Sequence, residues 1–344
     1  MAKGRLILFF GVMLGCASSA LAIDAAEQAW VLQNGRWVQV NNAPSTRPTS
    51  DPTLDSAEGL LSRHQPDPAR AILVRWVRTH RGDYRMDRAL FLLADAYYQR
   101  GDRLTSFYQY DELLDKYPDS PFFYRSLERQ YVIADAFLRG YKRKFLGLAI
   151  IGADTEAIEM LFRIQQRAPG SPISEKALLR TADFYFSTRQ YDFAGDAYAS
   201  YVRQYPRSNV IPQVRLQEAF CSLARFRGLA YDATPLVDAR AQLEDVITNY
   251  PDLAQSENLP TVIARIDTSF ARKILLTAHY YERVHDPRGA VYNYRYLIAE
   301  YPDSPEAVDA KRMLRRLPQW ALATPQPAIM TEYATQPATQ QGAQ

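Results

Sequence analysis

Four histidines and two cysteines are the side chains best suited to nucleophilic or metal chemistry, and their spacing supports neither. His64 and His80 stand apart, and His279 and His285 are six residues apart, off a common helical face. Scattered surface histidines are the ordinary form of such a set. Cys16 falls in an early apolar run. Cys221 lies within Ala219-Phe220-Cys221-Ser222-Leu223-Ala224, the setting of a buried, inert thiol. Acid pairs such as Asp303 with Glu306 fall near helix N-termini, where carboxylates oppose the helix dipole. The chain carries no Walker-type phosphate loop, dinucleotide glycine pattern, nucleophile elbow or His-Glu-x-x-His pair. The reading is a non-enzyme with no catalytic residue, no metal site and no cofactor, and its side chains are suited to binding.

The elements that position those side chains follow from composition and periodicity. The chain has 344 residues, of which 47% are hydrophobic, 12% aromatic and 23% charged, enough to bury a sizeable core. With 15 Gly and 21 Pro it is neither collagen-like nor disordered throughout. A mean hydropathy of −0.33 with one early apolar run excludes a polytopic membrane protein. Two cysteines exclude a disulfide-stapled fold or a multi-cysteine zinc site. The net charge is +3, and Lys3 and Arg5 near the N-terminus supply two of those charges. Nothing in that balance points to nucleic acid.

Residues 1–22 have the form of an export signal. Lys3 and Arg5 form a positive region, Leu6 to Gly15 an apolar stretch too short to span a bilayer, and Ala20-Leu21-Ala22 a small-residue cleavage site. Within the same stretch Met13-Leu14-Gly15-Cys16 resembles the lipobox of bacterial lipoproteins, in which the cysteine is acylated and becomes the first residue. Two outcomes stay open: a lipid anchor on Cys16, each buried CH₂ contributing about 0.8 kcal/mol, or cleavage after Ala22 and a soluble periplasmic chain.

Residues 23–53 read as a hairpin and linker. Asn34-Gly35 between alternating residues predicts a two-residue turn that sets Leu32 opposite Trp37 and Val31 opposite Val38. A lone hairpin is marginal in water, so it is expected to dock. Residues 41–53 form a polar, Pro-rich linker. From 54 to 317 the period is helical, as in Ala89-Leu90-Leu93-Ala94-Tyr97 and Leu178-Ala182-Tyr185, without a convincing strand. Residues 318–344, rich in Pro, Thr, Gln and Ala, read as a disordered tail.

The helical region repeats itself. Tyr117-Pro118, Tyr205-Pro206, Tyr250-Pro251 and Tyr301-Pro302 recur, with Ala168-Pro169 in the same role. Twelve residues before each proline stands a small residue: Ser106, Ala157, Ala194, Ala239, Ala290. Eight before stands a large one: Tyr110, Leu161, Tyr198, Leu243, Tyr294. Three of the units carry a further alanine twenty-four before (Ala94, Ala182, Ala278), with Tyr97, Tyr185 or Tyr281 three residues later. Antiparallel helices approach closely only where both present small side chains. Proline ends the second helix by disfavouring the α conformation of the residue before it, and Gly101 and Gly289 lie near the turns.

This pattern matches the tetratricopeptide repeat. The fold class is all-α: a tetratricopeptide-repeat superhelix of about five to six helix-turn-helix units with a small N-terminal β-hairpin. Units 87–118, 175–206 and 271–302 fit without gaps, and units ending at Pro169 and Pro251 carry insertions. A degenerate first unit spans 54–81, with Ala57, Ala69, Leu73 and Trp76 in matching places, and 306–317 reads as a capping helix. The insertion 139–152, basic and then apolar, reads as a lengthened helix and loop packed on the neighbouring repeat, or as a segment touching a membrane or a partner helix. The other insertion is 226–238, in which Tyr231 and Asp232 read as loop residues.

With the signal, the lipobox, the Tyr-Pro-Asp-Ser-Pro repeat ends and the run from Arg180 to Ala194, residues 54–317 resemble the BamD family, lipoprotein scaffolds of the outer-membrane β-barrel assembly machine. The resemblance implies a non-catalytic scaffold at the periplasmic face of the outer membrane. Its partners would be other barrel-assembly components and unfolded outer-membrane proteins. Other readings are a periplasmic repeat adaptor for cell division or Tol–Pal function and, from another class, a helical-repeat peptidoglycan hydrolase, for which no spare segment remains. In repeats of this kind the second, fifth, ninth and twelfth residues of the first helix face a groove. Here these are Arg88, Phe91, Asp95 and Tyr98; Lys176, Leu179, Asp183 and Phe186; and Arg272, Leu275, His279 and Glu282. Cationic, apolar and acidic positions in turn suit an extended peptide.

Overall fold

The computed structural model describes residues 28–33, 36–41, 50–140, 143–145, 148–151 and 154–323. The export signal, Cys16, the Asn34-Gly35 turn and residues 324–344 lie outside that set. The chain divides into two compact units, residues 1–126 and 127–344.

The first unit opens with an antiparallel pair, β1 (Gln28–Gln33) and β2 (Arg36–Asn41). Its register sets Leu32 opposite Trp37 and Val31 opposite Val38, as the Asn-Gly spacing implies. The hairpin docks through Trp30 and Trp37, whose rings lie 6.0 and 5.7 Å from that of Tyr124. Four helices follow: α1 (Pro52–Ser62), α2 (Pro66–Thr79), α3 (Met86–Gln99) and α4 (Arg103–Lys116). Leu54, Ala57, Ala69, Leu73 and Trp76 are buried, so the degenerate first unit is a true helix pair. Asp51 caps α1 by accepting from the Thr53 and Leu54 amides.

Helix α5 (Phe123–Leu138) begins in the first unit and runs into the second. Beyond it come β3 (Arg143–Phe145), β4 (Leu148–Ile151) and α6 (Asp154–Arg167). Next are α7 (Pro172–Ser187), α8 (Tyr191–Gln204), α9 (Ile211–Arg225) and α10 (Thr234–Asn249). The short α11 (Pro251–Ser256) and the long α12 (Leu259–Arg283) precede α13 (Pro287–Glu300), α14 (Pro305–Leu314) and α15 (Gln319–Leu322).

The repeat arithmetic becomes packing. Ala94, Ser106, Ala157, Ala182, Ala194, Ala239, Ala278 and Ala290 are all fully buried. In the α3–α4 pair the approach is close enough for the Ser106 hydroxyl to donate to the Ala94 carbonyl at 2.8 Å. Tyr110, Leu161, Tyr198, Leu243 and Tyr294 are sealed inside, each removing a large apolar surface from water at about 2–3 kcal/mol. The Ser-Pro that follows a repeat end begins the next helix. Ser171 and Ser304 accept from the Ser174 and Ala307 amides, while Pro172 and Pro305 fill first-turn positions that need no N–H donor.

Three details differ from the sequence reading. The 139–152 insertion is an antiparallel two-stranded ribbon, not a lengthened helix and loop. Gly140 takes φ +92°, which stops α5, and strands of three and four residues are too short to show alternation. Pro251 ends α10 at Asn249, as the repeat pattern implies, and itself opens α11, where its missing N–H is harmless. The first helix of the last repeat starts at Leu259 rather than near Ala271, with Pro260 in its opening turn and Asn258 in the left-handed region before it. Residues 318–323, read as the start of a disordered tail, include α15. Arg295 donates to the Leu322 carbonyl at 2.7 Å, Arg288 lies 5.7 Å over the Trp320 ring, and Ala321 is buried. No helix among the described residues is long and apolar enough to cross a membrane.

Candidate partner-binding face

In the first unit, α3 carries Arg88, Phe91, Asp95 and Tyr98, and its neighbours already engage them. Arg88 is only 12% exposed; its Nη2 lies 2.8 Å from Asp55 and 2.5 Å from Glu58, both on α1. Phe91 is core: it stacks on Phe122 at 4.9 Å and meets Tyr110 at 5.7 Å, with the Arg125 guanidinium 5.0 Å above it. Asp95 accepts a hydrogen bond from the Tyr110 hydroxyl. Tyr98 is half-buried under the Arg103 guanidinium at 5.8 Å.

In the second unit the same positions are more accessible. On α7, Lys176 and Asp183 are exposed, and Leu179 and Phe186 are half-buried. Phe186 meets Tyr191 and Tyr198 edge-on at 5.7 and 6.5 Å. Asp183 accepts from the Tyr198 hydroxyl at 2.7 Å. It keeps contact with solvent, yet the protein around it raises its pKa against the opposing pull of Tyr198 and Arg180. Burial likewise raises the pKa of Tyr198, helped by Asp183. Lys176 and Arg272 have no carboxylate partner among the described residues. On α12, Arg272 is exposed, whereas Leu275 packs into the α12–α13 core. His279 is half-buried with its ring 6.1 Å from that of Tyr294, and its Nε2 has no hydrogen-bond partner. Glu282 faces the buried Tyr294 hydroxyl without completing a hydrogen bond; burial, and then this carboxylate, raise the tyrosine pKa.

The structure thus brings together Lys176, Leu179, Asp183 and Phe186 on one accessible helical face. It withdraws Phe91 into the core and gives Arg88 to α1. Two features escaped the sequence reading. One is a tyrosine-to-aspartate bond at a fixed interval of fifteen, Tyr110 to Asp95 and Tyr198 to Asp183, with His279 and Tyr294 in the same two places. Aspartate fifteen residues before the repeat tyrosine was the available signal. The other is Arg180, whose Nε reaches Asp135 on α5 at 2.6 Å while Arg139 reaches the same carboxylate at 2.7 Å. Tyr131 lies in this group, its pKa raised by burial and then by Asp135. Cys221 is buried, and burial pushes its thiol pKa up to about 12, far from a nucleophile's.

Among curated proteins none matches the chain. Solved tetratricopeptide structures do match, at low identity. A thermophilic protein of Thermus thermophilus is 18% identical over 62% of this chain and 96% of its own, with a TM-score of 0.28. PilF of Pseudomonas aeruginosa is 16% identical over 76% and 96%, with a TM-score of 0.29. Superpositions at that level carry no functional argument. A tetratricopeptide-repeat family model matches residues 88–120, the unit on α3 and α4. A second model, YfiO, described as outer membrane lipoprotein, matches residues 152–326, just over half of the chain. The helix pairs, their small-residue crossings and that match give one conclusion: the chain belongs to the YfiO (BamD) family of outer membrane lipoproteins.

Proposed function

We propose that the chain is a non-catalytic scaffold of outer-membrane β-barrel assembly, working at the periplasmic side of the outer membrane and binding other assembly components and unfolded outer-membrane proteins. The observation that carries the reading is the α7 face. Lys176, Leu179, Asp183 and Phe186 present a cation, an aliphatic, an acid and an aromatic along one accessible stripe. An extended chain offers carboxylates, backbone N–H groups and apolar side chains in matching alternation. Family membership supports the location. Cys16 acylation would hold the scaffold at the membrane; cleavage after Ala22 would leave it soluble, and the intact mass of the exported protein separates the two. Pull-down from detergent extracts tests the role: recovery of the central barrel-assembly protein is expected. Its absence, with division or Tol–Pal proteins recovered instead, would overturn the assignment.

A further inference from the structure

A second surface is lined by none of the twelve groove positions, although Tyr191 on its wall meets Phe186. It is an open cleft of about 880 Å³ in the second unit, within the size range of ligand-binding clefts. Its walls are the turn from α7 into α8, the end of α9, the 226–233 loop and the start of α10. The loop is held in place: the Lys273 ammonium donates to the Leu229 and Tyr231 carbonyls at 3.1 and 2.5 Å, and the Tyr231 amide donates to the Gly228 carbonyl at 3.0 Å. Two aromatic rings stand open at the cleft, Phe193 at 59% exposure and Tyr231 at 60%.

The charges in the cleft are unevenly satisfied. Arg225 sits between Asp192 and Asp238 at 3.5 and 3.7 Å. Asp232 is engaged by the Thr234 amide and hydroxyl at the N-terminus of α10. All three acids therefore have local partners. Arg189 and Arg227 have no carboxylate partner among the described residues.

Arg189 is also costly where it stands. In the repeat, the residue seven after the buried helix-A alanine closes the turn in the left-handed region. It is His64 after Ala57, with φ +56°, Gly101 after Ala94, with φ +82°, Arg189 after Ala182, with φ +62°, and His285 after Ala278, with φ +58°. Glycine adopts this conformation freely, and a side chain does not. Three of the four turns thus carry a side chain in this region, and Arg189 is the one of them that lines the cleft.

We infer that this cleft docks an acidic peptide segment carrying an aromatic residue, its carboxylates meeting Arg189 and Arg227 and its ring packing on Phe193 and Tyr231. The inference stands apart from the α7 groove reading, because it uses different residues. Aromatic anchors bind with little entropy loss, and arginine pairs with carboxylates in two-point geometry.

The test uses the full chain and a fluorescein-labelled peptide, Gly-Asp-Glu-Phe-Glu-Asp-amide, followed by fluorescence anisotropy. Saturable binding is expected, weakened about tenfold by Arg189→Gly or Arg227→Ser and by exchanging the peptide's phenylalanine for serine. Arg316→Ser, which removes the same charge elsewhere, should leave it unchanged. Because glycine is the unstrained residue at the turn, Arg189→Gly should also melt no lower than the wild type, so lost binding cannot come from unfolding. Equal binding by Arg189→Gly and wild type would overturn the inference. So would tighter binding of the lysine-for-acid peptide, or no saturation at millimolar peptide. Arginine-dependent cosedimentation with phosphatidylglycerol vesicles, without peptide binding, would assign the cleft to a lipid surface and overturn it as well.

Discussion

Replacing Gly289 by alanine sets two effects against each other. In a helix, alanine is ordinarily favoured over glycine by up to about 1 kcal/mol. Gly289 lies in the first turn of α13, where an added Cβ would stand 2.6 Å from Tyr281 Cδ1 and 2.7 Å from Asp286 Oδ2. Both fall roughly 0.8 Å short of ordinary contact. Tyr281 is packed against the α12–α13 core, so displacing it is an overpacking problem costing about 1–3 kcal/mol. The Asp286 carboxylate accepts from the Gly289 amide at 3.1 Å, and moving it away loses a helix cap of about 1 kcal/mol. The sum is a destabilisation of about 1–3 kcal/mol, a fall of about 3–9 °C in melting temperature for a unit of this size. Gly195→Ala is the matched control: there the Cβ meets only Cys221 Cβ at 3.6 Å, and alanine should stabilise. Thermal unfolding followed by far-ultraviolet circular dichroism reads both. If Gly289→Ala melts at or above the wild type, the close approach of α12 and α13 is wrong.

Other expectations follow from the same packing. Ala194→Leu should cost about 3 kcal/mol or abolish the unit's cooperative melt, because the α7–α8 crossing has no room for a branched side chain. Tyr198→Phe should cost about 1–2 kcal/mol in denaturant unfolding, since it removes a hydrogen bond to a charged acceptor but leaves Asp183 in contact with solvent. Asp183→Asn should raise the melting temperature at neutral pH. The raised folded-state pKa means that ionised Asp183 destabilises the fold, a penalty that fades as pH falls through that pKa and is gone below the unfolded value near 3.9; a gain that persists at pH 3 would refute the assignment. In the first unit, the hydrogen bond and charge of Arg85 hold Asp83 at a pKa of about 2. The stability this contributes is full above pH 4 and lost on acidification toward pH 2, and an acid titration of Arg85→Ala should lack that step.

Much of the fold was legible because one physical demand recurs at a fixed interval. Each crossing needs a small residue and each helix pair needs a large one beneath it, so Ala182, Ala194 and Tyr198 stand out in the sequence and prove buried. The β1–β2 register was legible because Asn-Gly selects one turn. The β3–β4 ribbon was not, being too short for a period, and the early start of α12 was hidden by Pro260, which reads as a breaker but is tolerated in a first turn. At the binding face, position along the helix was readable and partnership was not. Arg88 looked available to a ligand until the fold brought Asp55 and Glu58 of α1 against it, so Arg88→Glu should lower the melting temperature, whereas Lys176→Glu should spare it. Of the 880 Å³ cleft the sequence showed only the 226–238 insertion; that the α7–α8 turn packs opposite it was not readable, because the two walls are distant in the chain.

Site-specific photocrosslinking tests the docking face most directly. A photoreactive side chain at position 176, on the accessible face of α7, should crosslink an unfolded outer-membrane protein, and the same group at the exposed position 162 on α6 should not. Equal labelling at both positions, or labelling at 162 alone, would contradict the account.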